Sequence, residues 1–166
     1  MTALIVARSR NNVIGKDGKI PWKIRGEQEQ FRQLTTGNTV VMGSHTYEEI
    51  GHPLLDRQTI VVSTTGRFFG EGLRTARSLK EALKIAEGSD VYIAGGYALY
   101  KEAIPLADIM YITEVDLVIE DGSVYFPDFN EEDFEKETGG ILGEEIRYTR
   151  IVYRRKVNKE EKCDSK

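Results

Sequence analysis

Cysteine occurs once in this chain of 166 residues and histidine twice. A lone Cys163 forms no internal disulfide, and with only His45 and His52 beside it a Cys/His metal cluster is excluded by count. No apolar run approaches the roughly 20 residues that cross a bilayer. Met1 opens into an apolar stretch without a basic leader or a small-residue cleavage site, so a cytoplasmic protein with no membrane partner is expected. Basic charge is also short: the net charge is -4. The last thirteen residues, Arg154 to Lys166, hold six basic and three acidic side chains, a surplus of three that leaves -7 on the rest. Such a body repels nucleic acid. Residues 157–166 read as a charged, flexible tail on one domain spanning 1–156. Neither G-x-G-x-x-G nor G-x-x-x-x-G-K-[ST] is present, so the common dinucleotide and P-loop fingerprints are missing.

What the chain has is 40% hydrophobic residues, enough for one sizeable core. Ala3 to Ala7, Thr39 to Met42, Thr59 to Ser63, Val91 to Ala94 and Ile109 to Val115 are short apolar runs of the kind that strands buried on both faces show. Helical patterns alternate with them. Ser44 is a candidate N-cap for a short helix, Ser78 with Glu81 is a capping box, and Tyr97 to Ile104 is a helix stopped by Pro105. Val124 to Phe126 and Tyr148 to Tyr153 read as further strands, the last antiparallel and half exposed. The expected fold is α/β: a mainly parallel central sheet with an antiparallel C-terminal strand and helices on both faces.

In such sheets ligands bind at the carboxyl ends of strands. Three turns follow strands directly: Gly43-Ser44-His45-Thr46, Ser63-Thr64-Thr65 and Gly95-Gly96. Each alone is explained by plain turn geometry. Together they indicate an extended phosphate-bearing ligand. The stretch Ile20 to Leu34 carries the chemistry. Pro21-Trp22 closes a long loop, and from about Gly26 the pattern is helical, placing Glu27, Phe31 and Leu34 on one face. That face is apolar except for a carboxylate, which is costly without a partner. Glu27 is either a first-turn acid complementing the helix dipole or a group waiting for a ligand.

These pieces resemble a bacterial-type dihydrofolate reductase. The resemblance rests on Val13-Ile14-Gly15, Pro21-Trp22, Glu27 with Phe31, Val41-Met42-Gly43 before His45-Thr46, and Ile50-Gly51 with Pro53-Leu54 and Arg57. It continues with Gly95-Gly96 before Tyr100, Thr113, and Phe126-Pro127-Asp128, in family order from residue 4 to about 155. It implies reduction of 7,8-dihydrofolate to 5,6,7,8-tetrahydrofolate by hydride transfer from NADPH to C6 of the pterin, with N5 gaining a proton, in support of one-carbon metabolism. By resemblance Glu27 hydrogen-bonds the pterin, Thr113 holds the carboxylate, and Trp22 bridges through an ordered water. Ile5, Phe31, Ile50 and Leu54 would sandwich the rings, and Arg57 would take the folate α-carboxylate. For Ile5 and Ile50 the competing reading is core packing; for Arg57 it is a solvated loop charge.

On the cofactor side the resemblance assigns Ala7, Ile14, Gly15, Gly95, Gly96, Tyr97, Ala98, Leu99 and Tyr100 to the nicotinamide and diphosphate, with a cis peptide at the glycine pair. Gly43, Ser44, His45 and Thr46 would cap the diphosphate, and Ser63, Thr64 and Arg77 would lie near the adenosine. The loop Ser9 to Ile24 resembles a mobile loop that closes over the nicotinamide. Four positions depart from the common pattern: Glu27 where bacterial members more often have Asp, Ser44 in place of an arginine for the 2′-phosphate, Gln28 in place of an apolar contact to the benzoyl ring, and Ala94 in place of a larger aliphatic. The implied protein is a monomer. A riboflavin-pathway-type reductase is disfavoured because those lack the Pro-Trp and helical-carboxylate pair, and a non-catalytic folate binder because Trp22, Glu27 and Thr113 are all retained.

Overall fold

The computed structural model describes residues 1–157, with strands and helices interleaved as far as Ile109–Val115 and only strands and short turns after it; from residue 158 the expected tail lies outside the described residues. The first strands are β1 (Thr2–Ser9) and β2 (Val13–Gly15), followed by α1 (Arg25–Thr35), β3 (Thr39–Gly43) and α2 (Ser44–Ile50). Next come β4 (Gln58–Val62), β5 (Leu73–Ala76), α3 (Leu79–Ile85), β6 (Val91–Ile93) and α4 (Tyr97–Ala103). The chain continues with β7 (Ile109–Val115), β8 (Val124–Tyr125), β9 (Phe134–Leu142) and β10 (Tyr148–Arg155).

The main sheet runs β5-β4-β3-β6-β1-β7-β10-β9. Its pairs are parallel from β5 through β7. β10 is antiparallel to both β7 and β9, so it alone runs against the rest, as the sequence pattern leads one to expect. The apolar runs form strands because both faces are covered. Leu4, Val6, Val41, Ile60 and Ile93 point to one face, where Leu79 and Ala82 of α3 and Leu99 and Ala103 of α4 meet them. Val40, Met42 and Val61 point to the other, under Phe31 of α1 and Tyr47 and Ile50 of α2.

Three elements have no counterpart in the sequence reading. β2 lies inside the long loop and pairs with β8 through Val13 and Gly15. β5 extends the sheet past β4. β9 is an edge strand exposed along almost its whole length, so its residues carry no burial pattern. One capping assignment is corrected. Gly43, not Ser44, is the N-cap of α2, with no side-chain cap bond, because β3 continues through Gly43, whose N–H donates to Gly95 O at 2.9 Å and holds it extended. At α3 the Ser78 hydroxyl does accept from Glu81 N at 3.0 Å, while the Glu81 carboxylate accepts from Arg77 N rather than closing back on Ser78.

Candidate active site

From β1 the chain passes over the place of β6 to reach β3, works outward through β4 and β5, then returns to insert β6 beside β1. The carboxyl ends of β4, β3, β6 and β1 therefore stand side by side where the winding reverses, which is where open α/β sheets take ligands. All three turns singled out from the sequence lie on this rim. Gly43 and Gly95 are joined by their backbone bond, and Gly95–Gly96 is a cis peptide. Gly95 has φ +127, and a Cβ there would sit 3.1 Å from Thr46 Oγ1, so glycine keeps this part of the rim open. Below it Tyr100 is buried and donates its hydroxyl to Ile5 O at 2.8 Å; burial pushes the phenol's pKa up, so it stays a donor. Tyr97 and Ala98 are exposed, whereas Leu99 turns into the core and offers the rim only its backbone.

Farther along the rim, the Ser63 hydroxyl accepts from Gly66 N at 2.9 Å, and Arg77 Nη1 donates to Ser63 O at 2.8 Å and Gly66 O at 2.6 Å. Arg77 thus clamps the turn that exposes Thr64. Ser44 is half-buried at the start of α2. His45 Nε2 lies 3.0 Å from Gly18 O, which requires a proton on Nε2, and Ile20 N donates to Glu49 Oε1 at 3.1 Å. Two bonds from α2 therefore hold the loop beside the rim. Ile14 and Gly15 of that loop are half-buried.

On the sheet face that α1 and α2 cover, the substrate candidates gather. Phe31, Ile50 and Leu54 pack against Val40, Met42, Val61 and Leu73, with Ala94 among them. Ile50 is half-buried against this cluster. Ile5 and Ala7 share one face of β1, alternating with buried Leu4 and Val6. Gln28 lies exposed on α1. Arg57 is not a solvated charge: Nε donates to Leu55 O at 2.8 Å, Nη1 to Thr35 Oγ1 at 3.2 Å, and Cζ lies 5.8 Å from the Phe31 ring centre. Burial, then the nearby Arg32, lower its pKa, while Asp56 opposes them. Further N–H groups of the guanidinium fork are left for a carboxylate ligand.

Glu27 sits between these groups. Across the sheet, register pairs Ala7 of β1 with Thr113 of β7, and Thr113 with Arg150 of β10. α1 lays its first turn over this row. Its approach is close, since a Cβ on Gly26 would collide with the Tyr148 hydroxyl. The Glu27 side chain is 15% exposed, and Oε1 stands 3.7 Å from Arg150 Nε. That distance permits charge attraction but is too long for a hydrogen bond. Among the described residues Glu27 Oε1 is a buried atom without a hydrogen-bond partner. Burial raises the carboxyl's pKa, and the Thr113 hydroxyl and the Arg150 charge offset only part of that rise. Trp22 and Ala7 pack beside it against Ile24, Val115 and Tyr148.

Arg150 and Tyr148 were missed from the sequence. The available signal was the alternation Tyr148, Arg150, Val152, which puts one charge among apolar neighbours on one strand face. Reading the strand as half exposed sent that charge to solvent; instead α1 covers its beginning.

A doubly wound sheet with a glycine-lined rim beside a buried carboxylate defines an α/β protein whose candidate site lies at the carboxyl ends of its parallel strands. The family model described as dihydrofolate reductase matches residues 1–155. Dihydrofolate reductase type 3 of Salmonella typhimurium is 41% identical over 130 residues, covering 78% of this chain and 80% of that protein. The dihydrofolate reductase of Haemophilus influenzae is 40% identical over 136 residues, 81% and 84% of the two chains. Dihydrofolate reductase from Enterococcus faecalis, solved with NADP(H) and RAB-propyl, superposes with a TM-score of 0.85 at 33% identity, covering 95% and 97%. The chain belongs to the dihydrofolate reductase family. It is an oxidoreductase of the bacterial type, reducing dihydrofolate with NADPH.

Because folding raises the Glu27 pKa, folding favours the neutral carboxyl. That contribution is fully present below the ordinary carboxylate range and is lost as pH rises through the raised value. Glu27→Gln, neutral throughout, is therefore expected to raise the thermal unfolding midpoint at about pH 7 and to leave it nearly unchanged at about pH 4. Circular dichroism melts at both pH values check this, and equal changes at both would contradict it.

Proposed function

We propose that Glu27 is the group that holds the pterin of 7,8-dihydrofolate and supports the proton gained at N5. The observation that carries this reading is the buried Oε1 without a hydrogen-bond partner, in a first turn packed near Ala7, Trp22 and Phe31. A carboxylate so placed accepts from a ring N–H and an exocyclic amino group without first giving up a strong protein bond. Thr113, on the adjoining strand, steadies it. Ile5, Phe31, Ile50 and Leu54 supply apolar faces for the flat rings, with Gln28 at the exposed margin of α1. Arg57, held by Leu55 and Thr35, faces the glutamate end.

The rim fits NADPH, because Gly43, Gly95 and Gly96 keep side chains away from the strand ends and Thr46 brings a hydroxyl beside Gly95. When bound, NADPH supplies the hydride that goes to C6 of the pterin. Ala7, Ile14, Gly15, Tyr97, Ala98, Leu99 and Tyr100 surround the place for its nicotinamide half. Ser44, His45, Ser63, Thr64 and Arg77 lie toward its adenosine half. The loop carrying Trp22 excludes water from the hydride path. The reading extends to a monomer, since one chain supplies every residue of the site, and to a single 1–156 domain in the cytoplasm, in keeping with a lone cysteine. Mixing protein, NADPH and dihydrofolate tests the activity: the near-ultraviolet absorbance of NADPH falls if the reading holds and stays constant if it does not.

Arg57→Ala is expected to raise KM for dihydrofolate by roughly 10-fold or more, the worth of a charge-assisted pair of about 1.5 to 3 kcal/mol, with kcat little changed. A dihydropterin lacking the glutamate tail is expected to be unaffected. Steady-state kinetics on both substrates check this; equal losses would assign Arg57 to holding the loop on α1.

Ser44 offers the 2′-phosphate one neutral hydrogen bond where an arginine would grip it with two N–H groups. Ser44→Arg is expected to raise the NADPH/NADH ratio of kcat/KM by roughly 10- to 150-fold and to make KM for NADPH more salt-sensitive. Kinetics with both cofactors at two ionic strengths check it. An unchanged ratio would move the reading of the 2′-phosphate to Arg77.

A further inference from the structure

The row Ala7, Thr113, Arg150 ends in a guanidinium that the reaction described so far does not use. Arg150 is built into its place. β10 pairs Thr149 with Ile141 and Ile151 with Thr138 of β9, so Gly139 and Gly140 together oppose Arg150 in a β-bulge. Bulges bend a ladder locally and re-aim the side chain beside them. Arg150 Nη2 donates to Gly26 O at 3.2 Å, and Cζ stands 5.7 Å from the Tyr148 ring centre. These contacts fix the guanidinium with Nε facing Glu27 Oε1 at 3.7 Å. The spacing preserves the attraction of opposite charges and leaves the carboxylate's lone pairs uncommitted. A shorter, two-pronged pair would tie up the oxygens that a ligand needs.

We propose that Arg150 is a positioning residue for the proton-handling carboxylate: a fixed counter-cation, held back from hydrogen-bond distance, that keeps Glu27 ionised in the apolar site while leaving it free to accept from substrate. This rests on Glu27 having the role given above. The groups facing Glu27 are few. β10 supplies the Arg150 guanidinium and β7 the Thr113 hydroxyl, while Ala7 of β1 pairs with Thr113, and Tyr148 of β10 stands against Gly26 of α1, whose carbonyl is bonded to Arg150. Among the described residues Arg150 is the one cation acting on Glu27. Burial and Arg150 act on Glu27 in opposite directions, so removing the guanidinium leaves burial less opposed.

The test reads the carboxyl itself. Protein labelled with carbon-13 at the glutamate δ-carboxyl, without ligand, is titrated by NMR, and Glu27 is identified by the signal missing in Glu27→Gln. In Arg150→Met, which keeps the aliphatic stem, and in Arg150→Gln, the Glu27 midpoint is expected to rise by at least about one pH unit. Arg150→Lys is expected to return most of that shift, and the pH profile of kcat/KM for dihydrofolate to move with the midpoint. An unchanged Glu27 midpoint in whichever neutral variant folds overturns the proposal. So does a moved midpoint with an unmoved rate profile. A purely structural role for Arg150 would lower stability and activity at every pH without moving either midpoint. The reading of Glu27 fails separately, if Glu27→Gln turns over at the wild-type rate; the titration of Glu27 beside Arg150 is unaffected by that result.

Discussion

Burial of the Glu27 carboxylate where α1 crosses β7 and β10 is the constraint from which the rest of the site follows. An ionised acid among Ala7, Trp22 and Phe31 is unfavourable by itself. The fold offsets part of that cost with a hydroxyl from β7 and a cation from β10, but stops short of a full hydrogen-bonded ion pair. What remains is an acceptor that gains most when a ring with two N–H donors arrives. In the role proposed for it, the residue that burdens the folded state serves the reaction, a trade found where activity depends on a group the protein would be more stable without.

The topology makes this arrangement available. Parallel strands β4, β3 and β6 end together and turn through glycines, which leaves a backbone-lined rim for a long phosphate-bearing molecule. On the far side of β1 the sheet changes character, because the reversed strand β10 lies next to β7 and presents Arg150 directly opposite Thr113. A parallel strand in that place would have required another crossover helix on one face. Reversal let a charged edge strand, β9, close the sheet instead. Cofactor rim and acid meet at β1, whose Ile5 carbonyl holds Tyr100 on one side and whose Ala7 adjoins Thr113 on the other.

Most of this was legible in the sequence where burial on both faces leaves a continuous apolar run: β1, β3, β4, β6 and β7 needed nothing else. The order of turns and the acid on the apolar face of α1 pointed to the candidate site before any contact was known. β2, β5 and β9 were not legible, for different reasons. Three residues of β2 carry too little periodicity, the four of β5 include the charged Arg74, and β9 is an exposed edge with two glycines. Ser44 resembled a cap, but whether Ser44 or Gly43 caps α2 depends on the bond from Gly43 to Gly95, about a third of the chain away. Arg150 was invisible for the same reason: its partner lies 123 positions earlier in the chain, and only the register of β7 with β10 brings them together.

The central claim is that an ionised Glu27 supports proton delivery to the pterin. The rate of hydride transfer in Glu27→Gln, followed by stopped-flow from neutral to acid pH, tests it most directly. The account predicts a rate at about pH 7 that is lower by at least about 100-fold, recovering in part as acid protonates N5 of the substrate from solution. A wild-type rate for Glu27→Gln at neutral pH would contradict it.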